Sequence, residues 1–400
     1  MRALLTLTIL FLSTYSWAQE KKSTTRQRFE QAIAAYDAGK FAEALPLFDK
    51  TLQEAPGNMD AYLLRAATRE QLNDLAGANT DYSIYLEHYP DRADALYSRA
   101  QVLFRLGLYA QAKDDFTKLL TLHPGETTTV YFNTSASATS KNQVMTMQGP
   151  MQAPLYNYLG LTETKLKNYK TAIHWIDSAI QLQSKDADYY VNRGIAKEGL
   201  KDSTALADYQ KALKINPQHA VALHNIAILK RNEGKKDASR DQLEAAIESD
   251  SSMLYPYLER ANQRLEGGYY KGALDDYDKA LTINDKDPRI WTNRGIVKER
   301  LNDLKGAFSD YTQAIELDEK FDKAWLNRGN VLIKQSRYKE AVEDYTIVLL
   351  YNAESATAYY NRAIAKQKLK LLTEACDDLK KAEALGQAVT EKMKKEFCKE

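Results

Sequence analysis

Residues 291–350 read WTNRGIVKERLNDLKGAFSDYTQAIELDEKFDKAWLNRGNVLIKQSRYKEAVEDYTIVLL. The block Asn293-Arg294-Gly295 returns as Asn327-Arg328-Gly329, and Asp310-Tyr311 as Asp344-Tyr345, each 34 residues on. A chain that repeats itself at this interval is an array of one supersecondary unit, every copy burying its apolar face against its neighbours. Working outward, the phase runs through Ala205, Ser239, Ala273, Ala307, Ala341 and Ala375, and back through Ala172, Ala112, Ala78 and Ala44. Ten copies begin at Thr25, Met59, Ala93, Ala153, Ala187, Ala220, Leu254, Pro288, Asp322 and Ala356, the fifth lacking one residue in its internal turn.

Within a copy, position 8 is always Gly or Ala, position 20 is Ala or Ser, and position 24 is large. Two antiparallel helices meet closely only where side chains are small, and a bulky residue beside the contact fills the remaining space. Pro56, Pro90, Pro124 and Pro217 follow second helices, and Pro154, Pro256 and Pro288 open first helices. Pro46, several residues into a second helix, predicts a local distortion there.

This pattern resembles the tetratricopeptide repeat (TPR), a 34-residue helix–turn–helix, from Thr25 to about Val389. The resemblance implies an all-α, right-handed superhelical solenoid with no catalytic domain, acting as a protein-binding scaffold. After Gly386, Val389, Met393 and Phe397 form one apolar stripe, expected of a C-terminal capping helix that ends within residues 390–400.

Because the copies align with one another, covariation is readable inside one chain. Position 7 is Arg in seven copies and position 23 is Asp in the same seven. The pairs are Arg65/Asp81, Arg99/Asp115, Arg193/Asp208, Arg260/Asp276, Arg294/Asp310, Arg328/Asp344 and Arg362/Asp378. Common descent of duplicated blocks would also produce the split. Contact is the sharper reading: an Arg–carboxylate pair tying the two helices of each repeat.

By the resemblance, first helices line a concave groove. Asn192, Asn225, Asn293, Asn327 and Asn361 all stand at position 6. They are similar to the asparagine ladder of the TPR superhelix in O-GlcNAc transferases, whose amides hold a peptide backbone. An amide offers both donors and an acceptor, matching a peptide unit. Asn also simply suits a polar helix face, and Glu259 interrupts the row. Tyr97, Tyr190 and Tyr360 are candidate apolar contacts in the same groove, or ordinary packing. Asn262 and Asn330 are accompanied by Leu258 and Leu326 where a carboxylate clamp requires Lys, so that clamp is excluded.

Residues 1–18 read as a signal peptide: Arg2, an apolar run over Ala3–Leu12, and Ser16-Trp17-Ala18 before the cut. Export to the periplasm or beyond of a bacterial cell is the expectation. Repeats 1–3 occupy 25–126 and repeats 4–10 occupy 153–389. Between them, 127–152 reads as an inserted β-hairpin, with β-prone Thr127–Phe132 and Gln143–Met147 around a Ser/Thr/Asn-rich stretch. In an oxidising compartment Cys376 and Cys398 would be brought together by a turn near Gly386 and could join as a disulfide.

The 55 basic and 54 acidic residues give no general affinity for nucleic acid or anionic membranes. Five histidines in no metal spacing, and no phosphate loop or nucleophile motif, imply no enzyme, cofactor or metal. The expected function is a non-enzymatic scaffold of the cell envelope holding an extended protein or peptide segment in the groove. The alternative is a structural or assembly subunit using its convex face or insertion.

Overall fold

The computed structural model describes residues 24–122, 129–132, 143–146 and 152–398. The signal peptide expected at 1–18 lies outside the described residues. Ten helix pairs follow one another, each pair being one repeat: α1 (24–37) with α2 (Phe41–Glu54), α3 (Met59–Gln71) with α4 (Leu75–His88), and α5 (Ala93–Arg105) with α6 (Tyr109–Thr121). After strands β1 (Thr129–Phe132) and β2 (Gln143–Thr146) come α7 (Gln152–Lys165) with α8 (Tyr169–Leu182), and α9 (Ala187–Gly199) with α10 (Ala205–Ile215). Then follow α11 (Ala220–Asn232) with α12 (Lys236–Ser249), α13 (Leu254–Glu266) with α14 (Tyr270–Ile283), and α15 (Pro288–Arg300) with α16 (Leu304–Leu317). The last are α17 (Asp322–Lys334) with α18 (Tyr338–Tyr351), α19 (Ala356–Lys368) with α20 (Leu372–Ala384), and a short α21 (Glu391–Phe397). First helices start at the residues the repeat frame assigns, from Met59 to Ala356, with α7 beginning one residue early at Gln152. The chain divides into two compact units, Met1–Pro217 and Gln218–Glu400.

Every repeat turns between its helices by the same device. Position 15 has positive φ in all ten, between 58° and 79°, whether it is Gly39, Gly107, Gly234 and Gly268 or Asn73, Lys167, Lys201, Asn302, Ser336 and Lys370. The next amide then reaches back five residues, as in Asp303 N to Lys298 O (2.8 Å) and Leu371 N to Lys366 O (3.0 Å). This is the left-handed closure that satisfies the last carbonyls of a helix. The residue missing from the fifth repeat is absorbed here: α10 starts late, at Ala205, after a turn pinned by Asp202 Oδ1 accepting from Thr204 N at 2.8 Å.

The core is a row of small residues under rings. Position-20 Ala44, Ala78, Ala112, Ala172, Ala273, Ala307, Ala341 and Ala375 are wholly buried. Three of the position-8 glycines lie under a tyrosine ring at position 24. A Cβ on Gly194, Gly295 or Gly329 would lie 2.5, 2.6 or 2.7 Å from Cε1 of Tyr209, Tyr311 or Tyr345. α2 runs unbroken through Pro46, so the expected distortion is no break: proline forfeits a single N–H and the neighbouring turns carry the helix.

The insertion interrupts the sequence and leaves the packing continuous. Leu155 and Leu159 of α7 belong to the same cluster as Tyr97 and Phe116 of the preceding repeat, and Phe116 stacks on Tyr158 at 5.3 Å. Within it, β1 pairs antiparallel with β2, Thr129 opposite Thr146 and Phe132 opposite Gln143.

At the C-terminal end, Thr390 caps α21 by accepting from Met393 N. Phe397 is buried, and Val389 and Met393 pack beside it on Ala363, Ala375 and Leu379. Cys376 and Cys398 are joined in this structure as a disulfide, their Cα atoms 4.9 Å apart.

Candidate functional site

All seven Arg–Asp pairs are formed, each as a two-pronged fork from the first helix to the second. Arg294 Nε and Nη2 donate to Asp310 Oδ2 and Oδ1 at 2.9 and 2.7 Å, and Arg328 does the same to Asp344 at 2.9 and 2.8 Å. Arg65/Asp81, Arg99/Asp115, Arg193/Asp208, Arg260/Asp276 and Arg362/Asp378 repeat the geometry. All seven carboxylates are buried, from Asp81 at 1% exposed to Asp115 at 6%, so each must be compensated where it stands.

These aspartates stand between the two helices of their own repeat, shielded from solvent. Asp208 is buried at 4% exposed, Asp276 is buried at 2% and Asp378 is buried at 5%. Asp81, Asp115, Asp310 and Asp344 are buried in the same way. The physical reason is the close approach of the two helices at positions 8 and 20, which shuts position 23 between them. The seven are internal braces between the helices, the role that the covariation in sequence implies for them.

Three further positions complete this bracket. The third prong of the guanidinium, Nη1, reaches position 25 of the preceding repeat: Asp49 from Arg65, Ser83 from Arg99, Asp177 from Arg193, Asp278 from Arg294, Thr312 from Arg328 and Thr346 from Arg362. One arginine therefore ties its own two helices and the neighbouring repeat as well. An aromatic residue at position 4 covers the guanidinium: Trp291 over Arg294 and Trp325 over Arg328, each at 4.7 Å, and Tyr62, Tyr190, Tyr257 and Tyr359 likewise. A second cation at position 11 meets five of the aspartates: Arg69 meets Asp81, Lys197 meets Asp208, Arg264 meets Asp276, Lys298 meets Asp310 and Lys366 meets Asp378. In the repeats of Asp115 and Asp344 position 11 is Leu103 and Leu332, and burial raises the pKa of Asp344 above its ordinary value, with Arg328 pulling the other way.

First helices of successive repeats lie side by side, and their contacts define an inner face. Lys334 Nζ reaches Glu299 Oε2 at 2.7 Å, Arg231 bridges to Glu259 and Glu266 at 2.8 and 2.7 Å, and Arg105 donates to Asn73 Oδ1 at 2.9 Å. The five position-6 asparagines are all half-buried on this face.

For Asn293, Asn327 and Asn361 the amide's state follows what the preceding position-24 tyrosine does. Tyr277 and Tyr345 donate to position-9 Asn262 and Asn330 at 2.5 and 2.8 Å. The next asparagine then joins in: Asn361 Nδ2 donates to Asn330 Oδ1 at 2.8 Å, and Asn293 hydrogen-bonds the Tyr277 hydroxyl. Burial, above all, raises the pKa of both tyrosines, so the hydroxyls stay protonated as donors. Tyr311 instead donates to position-12 Glu299 at 2.6 Å, and Asn327 makes no side-chain hydrogen bond among the described residues. Asn192 Nδ2 donates to Asn157 Oδ1 at 2.9 Å, and Asn225 Nδ2 is enclosed without a partner among the described residues.

The tyrosines expected in the groove belong to the packing. Tyr97 is 3% exposed and meets Phe116 and Tyr158 edge-on; Tyr190 is 7% exposed and donates to Ser184 O. Both rings fill the space where a first helix leans on its neighbours, which removes them from an open surface. Tyr360 is half-buried and its hydroxyl points to Met393 Sδ of the cap, at 3.5 Å. Positions 4, 11 and 25 are readable in the alignment of repeats as recurrent aromatic, basic and Asp/Ser/Thr residues.

The architecture so described, helix pairs stacked through small-residue contacts and braced by a repeated charge bracket, is a helical-repeat interaction scaffold. The chain belongs to the tetratricopeptide-repeat family: family models described as tetratricopeptide repeat match residues 29–82, 69–127, 326–388 and 288–321. Curated relatives include DnaJ homolog subfamily C member 3 of Gallus gallus, 23% identical over 278 residues, covering 66% of this chain and 52% of the relative. BBSome complex member BBS4 of Bos taurus is 32% identical over 139 residues, 34% of this chain and 27% of that one. The chain spans about half the length of the first curated relatives it matches. Among solved structures, YrrB, described as a TPR protein with an unusual peptide-binding site, aligns at 25% identity over 44% of this chain and 92% of its own, with a TM-score of 0.41. Pseudomonas aeruginosa pilF aligns at 18% identity over 53% and 96%, with a TM-score of 0.46.

Proposed function

We propose that this scaffold holds an extended segment of a partner protein along the inner face of its first helices. The observation that carries the reading is the state of the position-6 row. Those side chains are half-buried, and Asn327 among them offers an unengaged amide on the helix that carries half-buried Leu326 and Ile333. Such a surface can supply main-chain hydrogen bonds and apolar contact together. We further propose that the protein works outside the cytoplasm of a bacterial cell, where the Cys376–Cys398 staple would persist and hold a cap too short to stand alone.

Photo-crosslinking in the native host tests the groove. A photoreactive residue in place of Asn327 should capture a partner band that the same residue at Lys339, exposed on the second helix α18, does not. Capture from Lys339 alone would move the binding surface to the second helices.

A further inference from the structure

The charge of the inner face of α15, α17 and α19 specifies the chemistry of the segment it can hold. Glu299 is an acidic residue at inner position 12, and it is already spent: it accepts from Tyr311 and pairs with Lys334. Arg300, Lys323 and Lys368 are exposed and, among the described residues, form no ion pair. Arg300 and Lys368 stand at the same repeat position as Lys334, so the cations recur from one repeat to the next along this face. Asn327, on α17, is the one position-6 asparagine of α15, α17 and α19 that makes no side-chain hydrogen bond among the described residues. Asn293 and Asn361, at the same position, fasten one repeat to the next.

We propose that this face binds an extended segment rich in Asp and Glu. Asn327 takes its main chain, Arg300, Lys323 and Lys368 attract its carboxylates, and Asn293 and Asn361 serve as fasteners between repeats. The inference rests on the groove reading above and adds the partner's charge and the division of labour among the asparagines. An unengaged amide matches both faces of a peptide unit, and uncompensated cations set both the rate of encounter and the choice of partner.

The test is panning of the full chain against a displayed library of random linear peptides, followed by affinity measurements on the enriched peptides. The expected pool is enriched in Asp and Glu. Asn327→Ala should weaken its binding about fivefold to tenfold at unchanged melting temperature. Asn361→Ala should lower the melting temperature and leave the affinity of the folded protein unchanged. Arg300→Glu with Lys368→Glu should weaken binding about tenfold at low salt, the gap closing as salt is raised. A neutral or basic pool that still depends on Asn327 would overturn the acidic assignment and leave the groove standing. Loss of affinity in Asn361→Ala but not in Asn327→Ala would overturn the division among the asparagines. No enrichment, or binding indifferent to all of these substitutions, would remove the groove reading together with this one.

Discussion

The arginine bracket makes a prediction at single residues, because the seven copies differ in how much compensation each buried aspartate keeps. When Arg294 is lost, Asp310 retains Lys298, 2.9 Å away. Buried Asp208, Asp276 and Asp378 are insured in the same way, by Lys197, Arg264 and Lys366. Losing Arg328 leaves Asp344 with no second cation. Arg328→Leu should therefore cost about 3–5 kcal/mol, the range for stranding a buried charge. Arg294→Leu should cost about 1.5–3 kcal/mol, nearer the loss of charged hydrogen bonds. Denaturant midpoints of the two variants decide it, and equal costs would mean that the position-11 cation does nothing. Asp344 also has a pH signature. Its folded pKa is raised, so its contribution to stability is fully present below the unfolded pKa and is lost as pH rises through the folded one. An NMR titration of the Asp344 carboxyl should give a midpoint above the ordinary Asp value; a midpoint at or below it would contradict the burial argument. The Arg–Asp contacts were legible in sequence because both partners vary together. The shape of the bracket was not, since its other members vary in identity: Asp, Ser or Thr at position 25, Trp or Tyr at position 4, Arg or Lys at position 11.

Helices and turns were the most legible scale. Small residues at positions 8 and 20 and a large one at 24 return every 34 residues, and the first helices begin where that frame places them. The turn was missed for a physical reason. Position 15 takes positive φ in every repeat, yet only four copies use glycine there, because the back-reaching amide bonds hold even lysine in the left-handed region. That strain predicts a gain. Lys370→Gly should raise stability by about 0.5–1 kcal/mol, the relief of left-handed strain exceeding glycine's entropic cost. The reverse change, Gly234→Lys, should lower it by a similar amount. Thermal melts of both variants check the pair, and a Lys370→Gly protein that melts lower would show that the turn is not strained. The tight contact is testable in the same way. Gly329→Ala should destabilise by about 1–3 kcal/mol, because its methyl would overlap the Tyr345 ring. Adding Tyr345→Leu should recover part of the loss, since Ala363 opposite Leu379 is a pairing the chain already uses.

For the molecule as a whole, sequence and structure agree on ten repeats and a terminal cap. The insertion stands between repeats 3 and 4 in sequence, and the packing of those repeats runs straight past it, through Phe116, Tyr158 and Leu159. A long insertion leaves a repeat interface intact when both of its ends emerge at a turn, so its length says little about the core. The groove was legible only as a row of asparagines. Their hydrogen-bond commitments depend on which of positions 9 and 12 receives the neighbouring tyrosine hydroxyl, a choice that appears once the helices are in place. The central claim, that partners lie against the inner face of the first helices, is tested most directly by hydroxyl-radical footprinting of the full chain with and without the crosslinked partner. The account predicts protection of Leu326 and Ile333 on α17, with exposed Leu350 on α18 and Tyr269 before α14 unchanged. Protection of Leu350 and Tyr269 with Leu326 and Ile333 unaltered would contradict it.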